Sequence, residues 1–256
     1  MPAECPFAGR HAVITGASRG IGAAIAHRLA QMGALTTLIG RDRAALDREA
    51  ARATDGRAIV CDVTDPAQVE RAFVEAVARA PVAILINNAG AAESAPFLKS
   101  SDALLERMLS INVTSAFRCA RAGLPSMLEQ GWGRIVNIAS IAGLRGYAYV
   151  AAYCAAKHAL VGFTRALAAE MAGRGITVNA VCPGYTDTEM VHKAASNISA
   201  KTGRSEEQAL QELVRGNPLG RLIRPEEVAD TVAWLCGIEA EAITGQAVAI
   251  AGGEGA

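Results

Sequence analysis

The chain has no excess of either charge. Lys and Arg number 25, and Asp and Glu also number 25, among 256 residues. No global field draws such a protein to nucleic acid or to an anionic membrane surface, so neither is expected as a partner. No apolar run approaches the roughly 20 residues that a membrane-spanning helix requires. The opening MPAECPFAGR has no basic stretch followed by an apolar one, so a cytoplasmic location is expected. Cysteines stand at 5, 61, 119, 154, 182 and 236, with no C-x-x-C pair and no Cys/His cluster at metal-ligand spacing. No metal site is therefore expected, and most of the thiols read as reduced, buried hydrophobes. Linkers rich in Pro or Ser, fixed-period repeats and low-complexity tracts are also missing, so residues 1–256 read as a single domain.

What is present is a rhythm. Apolar runs of strand length, at His11–Thr15, Leu35–Ile39, Ala58–Cys61, Ala83–Ile86, Gly133–Ile138, Thr177–Val181 and Ala247–Ile250, alternate with longer segments rich in Ala, Leu and Arg. Those segments, Gly20–Met32, Ala44–Ala53, Ala67–Ala80, Asp102–Glu129, Ala151–Ala172 and Pro225–Cys236, favour helix. Strand, helix and strand in repetition predict right-handed crossovers, and hence an α/β fold with a parallel seven-stranded sheet covered on both faces. The polar stretch Thr186–Asn217 breaks the rhythm, and an insertion of that length is expected to be functional or mobile.

After the first strand comes TGASRGIG, residues 15–22, with Gly16, Gly20 and Gly22 spaced G-x-x-x-G-x-G. Glycines permit a tight turn and a close approach by a cofactor, and the helix that follows offers free N–H groups and a positive dipole end to a pyrophosphate. After the second strand, an acidic residue would bind the ribose 2′-hydroxyl of NAD, whereas Arg suits the 2′-phosphate of NADP. Here Gly40 stands at the acidic position and Arg41 follows, with Arg19 in the glycine turn itself. NADP(H) is favoured, with NAD(H) kept open because Asp42 is adjacent. In YCAAK, residues 153–157, Tyr153 and Lys157 lie one helical turn apart and project from the same side.

TGASRGIG (15–22), NNAG (87–90), Asn112, Ser140, YCAAK (153–157) and PGYTDT (183–188) occur in an order and spacing that resemble the short-chain dehydrogenases/reductases. The resemblance runs from about residue 10 to residue 250. It implies a doubly wound, Rossmann-type fold and an NAD(P)-dependent enzyme acting on CH–OH and C=O groups. It also implies Tyr153 as the general acid in reduction and base in oxidation, with Lys157 lowering the Tyr pKa and holding the nicotinamide ribose. Ser140 is implied as the hydrogen-bond partner of the substrate carbonyl oxygen, and Asn112 as the anchor of a water-linked proton relay. Gly16, Ser18, Arg19, Gly20, Ile21 and Gly22 would cradle the cofactor, with Arg41 near its 2′-phosphate. Asp62 and Val63 would contact adenine, Asn88, Ala89 and Gly90 its ribose, and Pro183, Gly184 and Thr188 the nicotinamide. Ala251 departs from the Asp that many relatives place before two glycines.

The pocket is expected to be lined by Ile141–Tyr147, with Tyr147 and Tyr185 as substrate contacts, and covered by residues 186–217 as a lid. Lys193, Lys201, Arg204 and Arg215 put positive charge on that lid, suited to a phosphorylated carrier. Interleaved Glu206, Glu207 and Glu212 equally fit a solvated surface. The overall pattern is most similar to reductases of 3-oxoacyl thioesters. Arg134 is the only base in MLEQGWGR, which disfavours docking of a carrier protein and leaves a 3-oxoacyl-CoA as the expected substrate. The alternatives are an NAD-dependent 3-hydroxyacyl-CoA or hydroxybutyrate dehydrogenase, a dehydratase or epimerase, and a non-catalytic cofactor sensor. By analogy with the family, a homotetramer is expected.

Overall fold

The computed structural model describes residues 5–255 apart from the side chain of Lys201; the first four residues of the N-terminal pattern and that lysine's side chain lie outside it. Its strands are His11–Thr15 (β1), Leu35–Gly40 (β2), Gly56–Val60 (β3), Val82–Asn87 (β4), Gly133–Ile138 (β5), Ile176–Pro183 (β6) and Ala247–Ile250 (β7). The helices are Gly20–Gln31 (α1), Arg43–Ala51 (α2), Pro66–Arg79 (α3), Asp102–Leu109 (α4), Ser115–Gln130 (α5), Ala151–Met171 (α6), Glu189–Thr202 (α7), Glu206–Val214 (α8) and Pro225–Cys236 (α9). The strands form one parallel seven-stranded sheet in the order β3-β2-β1-β4-β5-β6-β7.

Alternate strand residues enter opposite cores, as a two-residue period requires. Ala12, Ile14, Ile84, Ile86, Val136 and Ile138 pack on one face beneath α1, α2 and α9. Val13, Leu85, Ile135 and Val178 pack on the other, beneath α3, α5 and α6. The expected doubly wound α/β architecture is therefore present. Among the described residues no helix is long and apolar enough to cross a membrane.

After β3 the chain returns to the centre and places β4 on the other side of β1. That reversal opens a crevice at the carboxyl ends of β1 and β4, where open α/β sheets bind ligands. TGASRGIG leaves β1 there and NNAG leaves β4 there. A buried polar relay ties this edge to α6: Asn87 Nδ2 donates to Asn137 Oδ1 at 2.8 Å, Asn137 Nδ2 to Thr164 Oγ1 at 2.8 Å, and Thr164 to the Leu160 carbonyl. This chain of side-chain bonds links the centre of the sheet to the helix that carries Tyr153 and Lys157, and leaves Asn87 Oδ1 as a buried acceptor without a partner.

Two expectations need correction. The single helix predicted over Asp102–Glu129 is α4, a π-helical turn at Ser110–Thr114, and α5. In SINVTS the polar side chains compete for backbone carbonyls: Asn112 donates to Met108 O at 3.0 Å and Ser115 to Ile111 O at 2.6 Å. The third strand begins at Gly56, since the ladder with β2 runs from Thr36 and Gly56 to Gly40 and Val60, leaving Cys61 beyond it. The polar stretch from Thr186 folds into α7 and α8, the latter closed by a reciprocal cap between Ser205 and Gln208.

Candidate active site

The glycine turn is built tightly from below. Gly16 and Gly20 have left-handed backbones, with φ of +65° and +55°. Asn88 Nδ2 donates to the carbonyls of Thr15 and Gly16 at 3.0 Å each, while Thr15 Oγ1 accepts the N–H groups of Asn88 and Ala89. A Cβ added to Gly22 would lie 2.4 Å from Gly16 O, so only glycine fits there. Ser18 and Ile21 are partly buried beside the turn. No side chain caps α1, whose N-cap is Arg19, so its leading N–H groups remain for an anion. An uncapped helix start behind this cradle fits the pyrophosphate of a dinucleotide.

Arg19 and Arg41 both stand on the rim. Arg19 Nη1 is 2.5 Å from Glu189 Oε2 at the start of α7. Arg41 is largely exposed, 4.0 Å from Asp62. The Asp62 carboxylate accepts the Thr64 N–H at 2.9 Å and its hydroxyl at 2.7 Å. Those bonds, the backbone one foremost, hold its pKa below the usual carboxylate value. Val63 is 5 % exposed and packs in the core beneath α3, which leaves its backbone rather than its side chain for a ligand. Asn88 is likewise committed to the glycine turn through its side chain.

Ser140 follows β5 in extended conformation, and its hydroxyl accepts the Ala142 N–H at 3.1 Å. Tyr153, in the first turn of α6, has its hydroxyl pushed up to about 12 by burial, with hydrogen bonding from Ser140 acting in the opposite sense. Lys157 is 4 % exposed and donates from Nζ to the Ile138 carbonyl at 2.9 Å. Burial lowers its pKa to about 8. Lys157 Nζ lies 5.7 Å from the phenol ring centroid, and in the chain by itself burial is the largest influence on the Tyr153 hydroxyl.

Asn112 is 1 % exposed and reaches this centre from the π-helical turn. Its Nδ2 donates to Ala91 O and Met108 O, while its Oδ1 is buried without a partner. A Cβ built on Gly90 would lie 2.7 Å from that Oδ1 and 3.5 Å from Lys157 Nζ, so the orphaned acceptor and the ammonium face the same small space. A water there would satisfy both.

Pro183 ends β6, and the Gly184 N–H donates to Ile250 O at 3.0 Å. Thr188 donates to Thr186 O, and its methyl carbon lies 3.2 Å from the position of a Cβ on Gly20, closing that side of the cradle. Tyr185 is partly buried, and its hydroxyl is raised first by burial and then by the charge of Glu254. Tyr147 donates to Glu254 Oε1 at 2.5 Å, so its hydroxyl is already engaged. Burial, followed by that bond, raises its pKa well above the ordinary value. Tyr149, four residues before Tyr153, is 68 % exposed with φ of +67°, and its carbonyl accepts the Ala95 N–H at 2.8 Å. Sequence reasoning missed Glu254; its one signal was a lone acid among glycines in AGGEGA. It also missed Asn137, visible only as an amide within the apolar strand GRIVNI. On the stretch after residue 186, Arg204 and Arg215 both lean toward Glu212, at 4.0 and 3.7 Å, so their charge is shared with a carboxylate.

The sequence profile of the short chain dehydrogenase family matches residues 10–199. A Streptomyces coelicolor protein named as a ketoacyl reductase is 40% identical over 253 residues, covering 95% of this chain and 96% of that one. The 3-oxoacyl-acyl-carrier-protein reductase FabG of Escherichia coli is 37% identical over 254 residues, covering 96% and 98%. A crystal structure of the actinorhodin polyketide ketoreductase with NADPH superposes with a TM-score of 0.92 at 38% identity, covering 96% and 97% of the two chains. Together with the crevice and the residues gathered in it, these likenesses identify the chain as a member of the short-chain dehydrogenase/reductase family, an NAD(P)-dependent oxidoreductase.

Proposed function

We propose that the chain reduces the ketone of a 3-oxoacyl thioester to a secondary alcohol with NADPH. The observation that carries this reading is the convergence of Ser140, Tyr153 and Lys157 with the unpartnered Asn112 Oδ1 at the crevice. When bound, the dinucleotide supplies the hydride. Tyr153 gives its proton to the developing alkoxide, and a hydroxyl held neutral by burial is in the donating form at neutral pH. Ser140 stabilises the carbonyl oxygen as charge gathers on it. Lys157 and Asn112 Oδ1 hold the water through which Tyr153 recovers a proton from solvent. The names of the relatives, both reductases of ketoacyl groups, support the acyl-thioester class.

For the cofactor, Gly16, Ser18, Arg19, Gly20, Ile21 and Gly22 would hold the pyrophosphate side. Asp62 and Val63 would hold adenine, Asn88 to Gly90 its ribose, and Pro183, Gly184 and Thr188 the nicotinamide, with Tyr153 and Lys157 on the nicotinamide ribose. Arg41, directly after Gly40, supports NADPH over NADH. Arg41→Ala is expected to raise the KM for NADPH about tenfold or more and to leave that for NADH nearly unchanged, as loss of a charge-assisted phosphate contact requires. Equal losses with the two cofactors in initial-rate kinetics would remove Arg41 from this role.

Residues 186–217 act as the lid, tied to the glycine turn through Arg19 and Glu189. Half-exposed Phe117 meets Phe163 across α5 and α6, the rings 5.5 Å apart and tilted by 50°, an apolar face that suits the tetramer. The reaction is tested by following NADPH absorbance with acetoacetyl-CoA, longer 3-oxoacyl-CoAs, acetoacetyl-N-acetylcysteamine and simple ketones. Turnover of the thioesters is expected, and silence on every one of them rejects the substrate class.

A further inference from the structure

Glu254 is a buried carboxylate at the substrate end of the crevice, only 6 % exposed. Residues 251–255 fold back over that end. A Cβ on Gly255 would lie 3.5 Å from Ile141 Cδ1, next to Ser140, and one on Gly252 would overlap the Asn217 side chain at the base of the lid. The carboxylate is held between three parts of the site. Oε1 accepts the Tyr147 hydroxyl at 2.5 Å and lies 3.1 Å from the position of a Cβ on Gly216, while Oε2 is 3.7 Å from that of a Cβ on Gly184. Its negative charge is also felt by Tyr185, which in turn acts electrostatically on Tyr153.

Among the described residues, no Lys, Arg or His makes an ion pair with Glu254. Arg145 instead packs over the Tyr147 ring, 5.2 Å from its centroid. A buried carboxylate that is hydrogen-bonded but not ion-paired acts strongly on charged groups brought beside it, because the surrounding dielectric is low.

We propose that Glu254 is a specificity-determining residue, whose fixed negative charge admits ketones on neutral esters and thioesters and rejects 3-oxo acids as free carboxylates. This rests on the ketone-reducing reading of the same site and deepens it. A 3-oxo acid carries its charge two bonds from the reacting carbon, so it cannot present the ketone to Ser140 and Tyr153 without bringing that charge close to Glu254. A thioester of the same chain brings none.

The test compares ethyl acetoacetate with acetoacetate, nearly matched in shape and different in charge, in steady-state kinetics with NADPH. The wild type is expected to favour the ester by about a hundredfold in kcat/KM. Glu254→Gln, which can still accept the Tyr147 hydroxyl, is expected to narrow that ratio at least tenfold, chiefly through the KM for acetoacetate; a tenfold change corresponds to about 1.4 kcal/mol. Tyr147→Phe keeps the charge while removing its partner, and is expected to retain the ester preference even if Glu254→Gln folds poorly. A wild type indifferent to substrate charge, a Gln variant that loses both substrates equally, or a Phe variant that loses the preference each overturns the proposal. Ligand-observed NMR with the same two compounds measures the binding ratio without turnover. Absence of reduction with an intact binding ratio sinks the reductase reading alone, and a binding ratio unmoved by Glu254→Gln sinks the role of Glu254.

Discussion

Tyr153→Phe is expected to lower kcat about a thousandfold while leaving NADPH binding, read by fluorescence titration, within a factor of two of wild type. General acid catalysis by a positioned side chain is worth about 10²–10⁴ in rate. Phenylalanine retains the ring that packs in the first turn of α6 and removes only the proton donor. The structure gives the prediction a second arm in pH. Burial holds the Tyr153 hydroxyl near 12, so the proton to be donated is present throughout the neutral range. Lys157, lowered to about 8, is the group that titrates within reach of an assay. In wild type kcat for reduction is therefore expected to fall as pH rises through about 8, when the relay behind Tyr153 loses its cation. The residual activity of Tyr153→Phe, which no longer draws on that relay, should be flat over the same interval. A Phe variant with a tenth or more of wild-type kcat would remove Tyr153 from the proton-donor role.

Much of this site was legible because its residues are dictated by local constraints that leave marks in sequence. Gly22 must be glycine where a Cβ would meet Gly16 O, and strands with two buried faces read as mostly apolar runs. Three features left weaker marks, for physical reasons. The π-helical turn around Asn112 arises from side chains bonding carbonyls four residues back, which registers only as a polar interruption in a helical pattern. The direction of the Tyr153 shift follows from burial outweighing the bond with Ser140 while Lys157 turns toward Ile138 O, an arrangement that spacing alone does not reveal. Glu254 lies 107 residues from the tyrosine it binds, and only the folding back of residues 251–255 makes them neighbours.

Lys157→Met is expected to abolish activity and yet to make the protein more stable at pH 7, by about 2 kcal/mol. The lysine pKa falls from 10.5 in an exposed chain to about 8 in the fold because burial penalises the charged form. At about 1.4 kcal/mol per pKa unit, carrying the charge into the core costs about 3 kcal/mol. The sign follows from proton counts. Below about pH 8 both folded and unfolded chains hold the proton, and the full cost is present. Between about 8 and 10.5 the unfolded chain binds a proton that the folded one does not, so stability from this group rises with pH. Above 10.5 the cost is gone. Methionine matches the stem and carries no charge, and the unpaired Ile138 carbonyl returns about 1 kcal/mol of the gain. For a chain of this size the difference corresponds to a rise of about 5 °C in Tm. The buried cysteines 61, 119, 182 and 236, together with Tyr153, titrate in the opposite sense above pH 9, because burial raises each of their pKa values. They are common to both proteins and cancel to first order in the difference. Urea unfolding of the two at pH 7 and at pH 10 should therefore show the Met advantage shrinking toward zero or below at the higher pH. An advantage independent of pH, or a Met variant less stable at pH 7, would mean that burial of the Lys157 ammonium does not carry this cost.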